Sequence, residues 1–124
     1  AAQLGTAFIA CPESAADASY RAAILGDAAQ HTVITTAISG RPARCLANRF
    51  TALGDEAGGG LVPAYPIAYD AAKALNAAAK AAGESGYGAQ WAGQGAPMSR
   101  SLPAATLVAQ LQSEMEQALS RPRV

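Results

Sequence analysis

The sequence predicts an α/β chain that is mostly helical and contains one or two short strands. Hydrophobic residues make up 51% of its 124 residues, and alanine dominates them, which favours close-packed helices. The opening run QLGTAFIAC, with the β-branched Thr6 and Ile9, is typical of a buried parallel strand. A later run, HTVITTAI, is dense in β-branched residues and predicts a second strand.

The expected strand over residues 3–10 bears on how the chain is interpreted. A parallel strand needs neighbours on both sides, and the sequence offers few other strand candidates. The sequence also starts without methionine, directly in this apolar run. We therefore expect a fragment whose partner strands lie outside these residues. On its own, such a strand is expected to pair with a copy of itself or to leave the β conformation.

Composition narrows the class of protein. Nine basic residues balance nine acidic ones, so nothing directs the chain to nucleic acid or to an acidic membrane surface. Apolar runs stay shorter than the about 20 residues that span a membrane, and the opening residues lack the features of a secretory leader. Cys11 and Cys45 are too few for a disulfide framework, and we expect reduced thiols in a cytoplasmic protein.

Helix and turn signals divide the first half of the chain. Ser14 is the expected N-cap of a helix that ends at Gly26. Residues 31–38 then predict the second strand, residues 40–42 break it, and residues 43–50 predict a short basic helix.

The second half is organised by glycine and proline. Residues 58–60 predict a loop or joint, and Pro66 opens an alanine-rich helix that ends near Gly83. A glycine-rich stretch follows, around Trp91. Residues 103–122 then predict a helix that begins and ends at proline, with apolar residues at three- and four-residue steps: Leu107, Val108, Leu111, Met115 and Leu119.

Three groups of residues are candidates for chemistry. Gly5 and Thr6 stand at a strand end before a helix, where glycine lets a phosphate approach the backbone; a tight turn is the alternative. Tyr65, Tyr69 and Lys73 recur every four residues, about 6 Å apart at Cβ on a helix. They either rim a pocket for a small anion or pack on a core with the lysine extended into solvent.

The third group is the string QWAGQG at residues 90–95. Small residues around Trp91 let a backbone or a flat cofactor lie close, and Gln94 offers a donor and an acceptor; a structural turn is the alternative. His31 is expected at the surface, and Arg41, Arg44 and Arg49 are expected to form a basic solvated face or an interdomain contact. Neither metal-ligand spacing nor a Ser-His-Asp arrangement is visible.

The order of the strings QLGTAF, CPES, SGRPAR, NRF, Y-P-x-x-Y-x-x-x-K and WAGQG resembles bacterial nitronate monooxygenases, also called 2-nitropropane dioxygenases. The resemblance runs over residues 3–119 and implies the C-terminal piece of an FMN-binding (β/α)8 TIM barrel with a mostly helical substrate domain. By it, residues 1–30 hold the last barrel strand and the following helix. Residues 31–83 are a substrate-domain segment, and residues 84–124 are a return turn and C-terminal helix.

The resemblance also implies roles for single residues. The implied FMN contacts are Gln3, Leu4, Gly5, Thr6 and Gln94. The implied substrate-pocket residues are Tyr20, Tyr65, Tyr69 and Lys73, the last attracting an anionic nitronate. The active-site histidine is expected upstream of Ala1, so no catalytic residue is expected within the sequence.

The implied activity is the oxidation of alkyl nitronates with O2 to carbonyl compounds and nitrite. Two alternatives stay open: an enoyl-reductase-like flavin barrel that uses NAD(P)H, and an inactive, self-associating helical fragment. The rest of the barrel is the expected partner, and the fragment by itself is expected to hold no FMN because it supplies too few contacts.

Overall fold

The structure is a computed structural model that describes residues 2–56 and 62–120. Its elements in chain order are helix α1 (Ala18–Leu25), strands β1 (Thr32–Thr35) and β2 (Ala43–Leu46), and helices α2 (Arg49–Glu56), α3 (Ile67–Ala81) and α4 (Ala104–Ser120). Short 3-10 turns lie at Thr6–Phe8, Asp27–Gln30 and Ala96–Met98. The mostly helical chain with two short strands confirms the predicted class.

The two strands form an antiparallel hairpin in which Thr32 lies opposite Leu46 and Thr35 opposite Ala43. The chain reverses near Gly40, whose φ of 76° is the left-handed conformation that glycine adopts without strain. The predicted strand over residues 31–38 is thus confirmed in its central part, together with the break that follows it.

The helix predicted over residues 43–50 is wrong in its first half, because Ala43–Leu46 forms β2. Both edges of this strand find backbone partners. One edge pairs with β1, while on the other the Leu46 amide donates to the Gln90 carbonyl at 2.9 Å and the Ala92 amide donates to the Arg44 carbonyl at 3.1 Å. These long-range hydrogen bonds outweigh the local helical preference of the sequence.

The strand predicted over residues 3–10 is also wrong. Within it, the Phe8 amide donates to the Gly5 carbonyl at 3.1 Å and the Ile9 amide to the Thr6 carbonyl at 3.2 Å, forming a 3-10 turn. Since no strand flanks this segment among the residues that the structure describes, its backbone satisfies its polar groups locally. The segment therefore agrees with the expectation that an unflanked strand leaves the β conformation.

Helix α1 is capped by Asp17, so the predicted Ser14 cap is wrong. The Asp17 carboxylate accepts from the Tyr20 amide at 2.8 Å and also pairs with Lys80 on α3. Ser14 instead accepts from the Ala16 amide at 3.1 Å in the preceding turn. The predicted end at Gly26 is confirmed.

The predicted boundaries of the later helices at proline and glycine are confirmed. Pro66 is the N-cap of α3, one residue before its first helical residue, and Gly83 follows its end with φ of 80°. Pro103 directly precedes α4, as predicted. The predicted loop at residues 58–60 and the closing Pro122 lie outside the described residues.

Two buried clusters form the core, and β2 contributes to both because neighbouring side chains of a strand point to opposite faces. Leu46 packs in the first cluster, with Ala10, Ile24, Ala29, Ala92 and Ala96. Cys45 packs in the second, with Ile38, Phe50 and Ala72, against the half-buried Tyr69 and Trp91. Both cysteines are buried and free, as expected.

Part of the apolar surface is uncovered. Leu25 on α1 and Val108, Met115 and Leu119 on α4 are exposed, so these helix faces are not covered by other described residues. Self-association through these faces stays a prediction. In the part of the chain that the structure describes, no helix has the length and apolarity needed to cross a membrane.

The Asp17 cap leads to a prediction about stability. The hydrogen bond from Lys80, followed by that from the Tyr20 amide, lowers the pKa of Asp17 from 3.8 to about 2. A depressed folded-state pKa means that this stabilisation is present above pH 4 and is lost as the pH falls toward 2. We expect Asp17→Ala to lower the free energy of unfolding by about 1 kcal/mol at pH 7 and to flatten its decline below pH 4.

Denaturant unfolding measured across this pH range checks both effects. Ser14→Ala is the matched control, since Ser14 bonds within a turn rather than at the helix end. An equal loss in the two variants, with the same pH dependence, would contradict the assignment of the cap.

Candidate functional site

Two of the predicted segments meet in the structure. The Gly93 amide donates to the Thr6 hydroxyl at 2.9 Å, across 87 residues of sequence. This bond joins the turn at Gly5 and Thr6 to residues 91–95, here called the Gly93 loop. The two segments proposed from the sequence to approach a cofactor are therefore neighbours.

The junction opens into a cavity of about 290 Å³. Its lining includes residues 3–7, Gly93 and Gly95, together with Arg100, Leu107 and Glu114, so Gln3, Leu4, Gly5 and Thr6 all border one cavity. Gln94 is exposed and lies beside the cavity rather than in its lining.

The lining of the cavity also includes an ion pair, between Arg100 and Glu114, that the sequence did not reveal. Arg100 donates to both carboxylate oxygens of Glu114, at 2.7 and 3.0 Å, and so fixes the segment before α4 against that helix. The hydrogen bond from Arg100 lowers the pKa of Glu114 below its usual range. The two residues are 14 positions apart, and only the packing of the preceding segment on α4 brings them together.

Gly5 faces open space. A Cβ added there would meet no other atom of the described chain within 4 Å, and its φ of −107° is accessible to any residue. Among the described residues, no contact therefore requires glycine at position 5. Open space beside the cavity fits the close approach of a ligand atom to the backbone, which is what a phosphate needs.

The second region is centred on Trp91. The Tyr20 hydroxyl donates to the Trp91 carbonyl, and the Tyr69 ring lies 6.4 Å from the Trp91 ring at a tilt of 36°. Burial raises the pKa of Tyr20 to about 12, so its phenol stays protonated at neutral pH. Two of the predicted pocket tyrosines therefore contact one residue of the Gly93 loop.

Tyr65 and Lys73 extend this region along α3. The Lys73 ammonium lies 5.3 Å from the centre of the Tyr69 ring and forms an ion pair with Asp70 at 2.7 Å, which raises the pKa of Lys73. Tyr65 lies in the turn before the helix, half-exposed, with the Arg41 guanidinium 4.7 Å from its ring centre.

The three arginines expected to form one basic face contact separate partners. Arg44 donates to the carbonyl and hydroxyl of Thr32 within the hairpin. Arg49 pairs with Glu84, whereas Arg41 stacks on Tyr65. His31 is exposed, as expected. Among residues 2–56 and 62–120, no three His, Cys, Asp or Glu side chains are grouped to hold a metal ion.

Comparison with known proteins assigns this arrangement to a family. A family model described as nitronate monooxygenase matches residues 1–114. The chain belongs to the nitronate monooxygenase family. The resemblance inferred from the sequence strings is therefore confirmed.

Individual members of the family match at high identity. A protein named nitronate monooxygenase from Paraburkholderia phytofirmans is 62% identical over 123 residues, which are 99% of this chain and 34% of that protein. One of the same name from Pseudomonas aeruginosa is 50% identical over 117 residues, 93% of this chain and 33% of that protein. The chain thus spans about a third of the length of these curated relatives.

A solved structure supports the fold. The crystal structure of nitroalkane oxidase from Streptomyces ansochromogenes superposes with a TM-score of 0.84 at 42% identity, over 97% of this chain and 34% of that one. The observed arrangement is therefore that of part of a larger α/β enzyme, which confirms the predicted fold class.

The bond between Thr6 and Gly93 gives a prediction for this member of the nitronate monooxygenase family. Thr6→Val keeps the shape of the side chain but removes the acceptor, whereas Thr6→Ser keeps the hydroxyl. We expect Thr6→Val to speed hydrogen exchange of the Gly93 amide and to lower the free energy of unfolding by about 1 kcal/mol. Amide exchange in the intact protein is the measurement. Equal protection in the valine and serine variants would mean that the bond does not hold the loop.

Proposed function

We propose that the chain is the C-terminal part of an FMN-dependent monooxygenase that oxidises alkyl nitronates with O2 to carbonyl compounds and nitrite. The observation that carries the proposal is the 62% identity, across 99% of the chain, to a protein named nitronate monooxygenase. The cavity between the Gly5–Thr6 turn and the Gly93 loop supports it, because it lies where the family resemblance expects the cofactor.

The proposal divides the chain into three parts. Residues 1–30 belong to the cofactor side, residues 31–83 to the substrate domain, and residues 84–124 form the return turn and C-terminal helix. The rest of the barrel and the active-site histidine come from outside these residues. The two buried free thiols, Cys11 and Cys45, favour the reducing cytoplasm as the location.

On the cofactor side, Gln3, Leu4, Gly5 and Thr6 would hold the FMN phosphate, with Gln94 near the flavin. The open space at Gly5 and the polar backbone of its turn fit a phosphate group. The flavin, when bound, supplies the redox chemistry by accepting electrons from the nitronate and passing them to O2. The residues of this chain contribute the binding and orientation of that cofactor.

On the substrate side, Lys73 supplies positive charge for an anionic nitronate, and the rings of Tyr65 and Tyr69 shape the entrance. Lys73 carries its charge at neutral pH, as lysines ordinarily do, and its hydrogen bond with Asp70 raises its pKa further. Tyr20 contributes to the pocket indirectly, through the hydrogen bond that its hydroxyl donates to the Trp91 carbonyl. Attraction by Lys73 raises the local concentration of the anion near the reacting centre.

The test of the proposed function uses the intact protein. We expect it to release FMN on denaturation, identified by mass, and to consume O2 and produce nitrite when given an alkyl nitronate such as propyl-2-nitronate. Oxidation of NADH with reduction of an enoyl substrate, without nitrite production, would replace this proposal with the enoyl-reductase-like alternative.

Gly5 provides a sharp test of the cofactor assignment. Because the chain itself leaves the space at Gly5 open, Gly5→Leu is expected to fold normally yet to obstruct the phosphate. We expect at least a tenfold weaker affinity for FMN, about 1.4 kcal/mol, with Gly5→Ala intermediate. Flavin content after purification and FMN titration of the apoprotein are the measurements. A Gly5→Leu protein with full flavin would remove Gly5 from the phosphate site.

Lys73 tests the substrate assignment. Lys73→Met keeps the aliphatic stem but removes the charge, so the KM for a nitronate is expected to rise severalfold while the melting temperature stays the same. Lys80→Met is the control for the loss of one charge from the same helix, since Lys80, like Lys73, forms an ion pair with an aspartate, but with Asp17 at the start of α1 rather than beside Tyr69. Steady-state kinetics at low and high ionic strength measure the effect. An unchanged KM in Lys73→Met would leave Lys73 as a solvated surface residue.

A further inference from the structure

The most distinctive string of the sequence, SGRPAR at residues 39–44, has no role in the function proposed above. It begins with a turn between β1 and β2 that is tightly hydrogen-bonded. Ser39 is buried, and its hydroxyl donates to the Arg41 carbonyl at 3.0 Å while accepting from the Arg41 amide at 3.3 Å. Both polar groups of the Arg41 backbone, its amide and its carbonyl, are therefore hydrogen-bonded to Ser39.

Gly40 brings this turn against the segment that carries Tyr65. A Cβ on Gly40 would collide with the Pro63 carbonyl and would lie 2.8 Å from the Tyr65 amide nitrogen. Its φ of 76° also disfavours any residue with a side chain. The turn is thus in backbone contact with residues 63–65, and a bulkier residue at position 40 would push the two apart.

Arg41 completes the contact through its side chain. Its guanidinium lies 4.7 Å from the centre of the Tyr65 ring, within the range in which a cation is attracted to an aromatic face. Tyr65 precedes α3 and is 48% exposed, so few neighbours other than this cation restrict its ring. On the helix beyond it, Lys73 lies over Tyr69 in the same way, at 5.3 Å.

We propose that Arg41 is a positioning residue for Tyr65, holding its ring at the entrance through which a small planar anion would reach the substrate pocket. This role rests on the proposed function, in which Tyr65 lines the nitronate pocket. The Ser39–Gly40 turn fixes Arg41, Arg41 orients the ring, and the ring contacts the substrate. The SGRPAR string thereby gains a function beyond the hairpin.

The test compares Arg41→Met and Arg41→Lys in the intact enzyme. The methionine variant is expected to raise the KM for an alkyl nitronate about two- to fivefold, the range to which a cation–π contact of about 0.5–1 kcal/mol converts, and to change kcat by less. The lysine variant keeps a cation and should recover part of the loss. Arg44→Met is the matched control. Arg44 belongs to the same string but bonds to Thr32 of β1 instead of Tyr65, so this variant should leave KM unchanged.

A double-mutant cycle separates positioning from a general effect of charge. If Arg41 acts through Tyr65, Arg41→Met should have no further effect on KM in a Tyr65→Leu background. A full effect of Arg41→Met in that background, or an equal effect of Arg44→Met, would overturn the proposal while leaving the nitronate activity intact.

A measurement independent of activity covers the case in which the wild-type enzyme does not oxidise nitronates. In protein labelled at arginine, the guanidinium resonances of Arg41 should be shifted upfield by the ring and should return toward ordinary values in Tyr65→Leu. The absence of that shift would overturn the contact itself. A shift without nitrite production would instead reject the proposed function, and with it the substrate role of Arg41.

Discussion

The arrangement of the candidate site depends on the edge of β2 that does not pair with β1. Hydrogen bonds from Leu46 to Gln90 and from Ala92 to Arg44 attach residues 90–92 to this edge as an isolated antiparallel bridge between Cys45 and Trp91. The attachment places Trp91 and the loop after it between the N-terminal turn and α3. A buried backbone amide or carbonyl that lacks a hydrogen bond is costly. The pairing of residues 90–92 with this edge is therefore strongly specified.

Trp91 consequently belongs to both halves of the candidate site. Its carbonyl accepts from Tyr20, its ring packs near Tyr69, and the loop that it begins contacts Thr6 through Gly93. A shift of this one segment would therefore alter the proposed cofactor side and the proposed substrate side together. From the sequence, the stretch around Trp91 was either a place of close cofactor approach or a structural turn, and its contacts with Tyr20 and Tyr69 join it to α1 and α3.

Local signals predicted the parts of the fold that are governed by local physics. Pro66, Gly83 and Pro103 bound α3 and α4 because proline and glycine restrict or free the backbone at their own positions. β2 was missed because its partners, in β1 and at residues 90–92, lie at least eight residues away along the chain, whereas the helix cap, a local bond from the Tyr20 amide, was misplaced by three residues. Strand pairing of this kind overrides the weak preference of ARCL for a helix.

The candidate site follows the same division. Gly5, Thr6, Tyr69 and Lys73 became candidates through local patterns, a glycine in an apolar run and i, i+4 spacing, and their roles stay proposals. Arg41 was visible only as one of several arginines, since its contact with Tyr65 depends on how the hairpin turn lies against residues 63–65. The ion pair of Arg100 with Glu114 likewise depends on packing alone.

The ion pair between Asp17 and Lys80 also places a charge at the end of each of two helices, where it interacts with the helix dipole. Asp17 lies at the N-terminus of α1, where backbone amides concentrate positive potential, and Lys80 lies in the last turn of α3, where carbonyls concentrate negative potential. Each charge thus compensates the helix end that carries it and attracts the other charge across the gap. The junction between the two helices is therefore an electrostatic quadrupole, whose contribution weakens as added salt shortens the screening length.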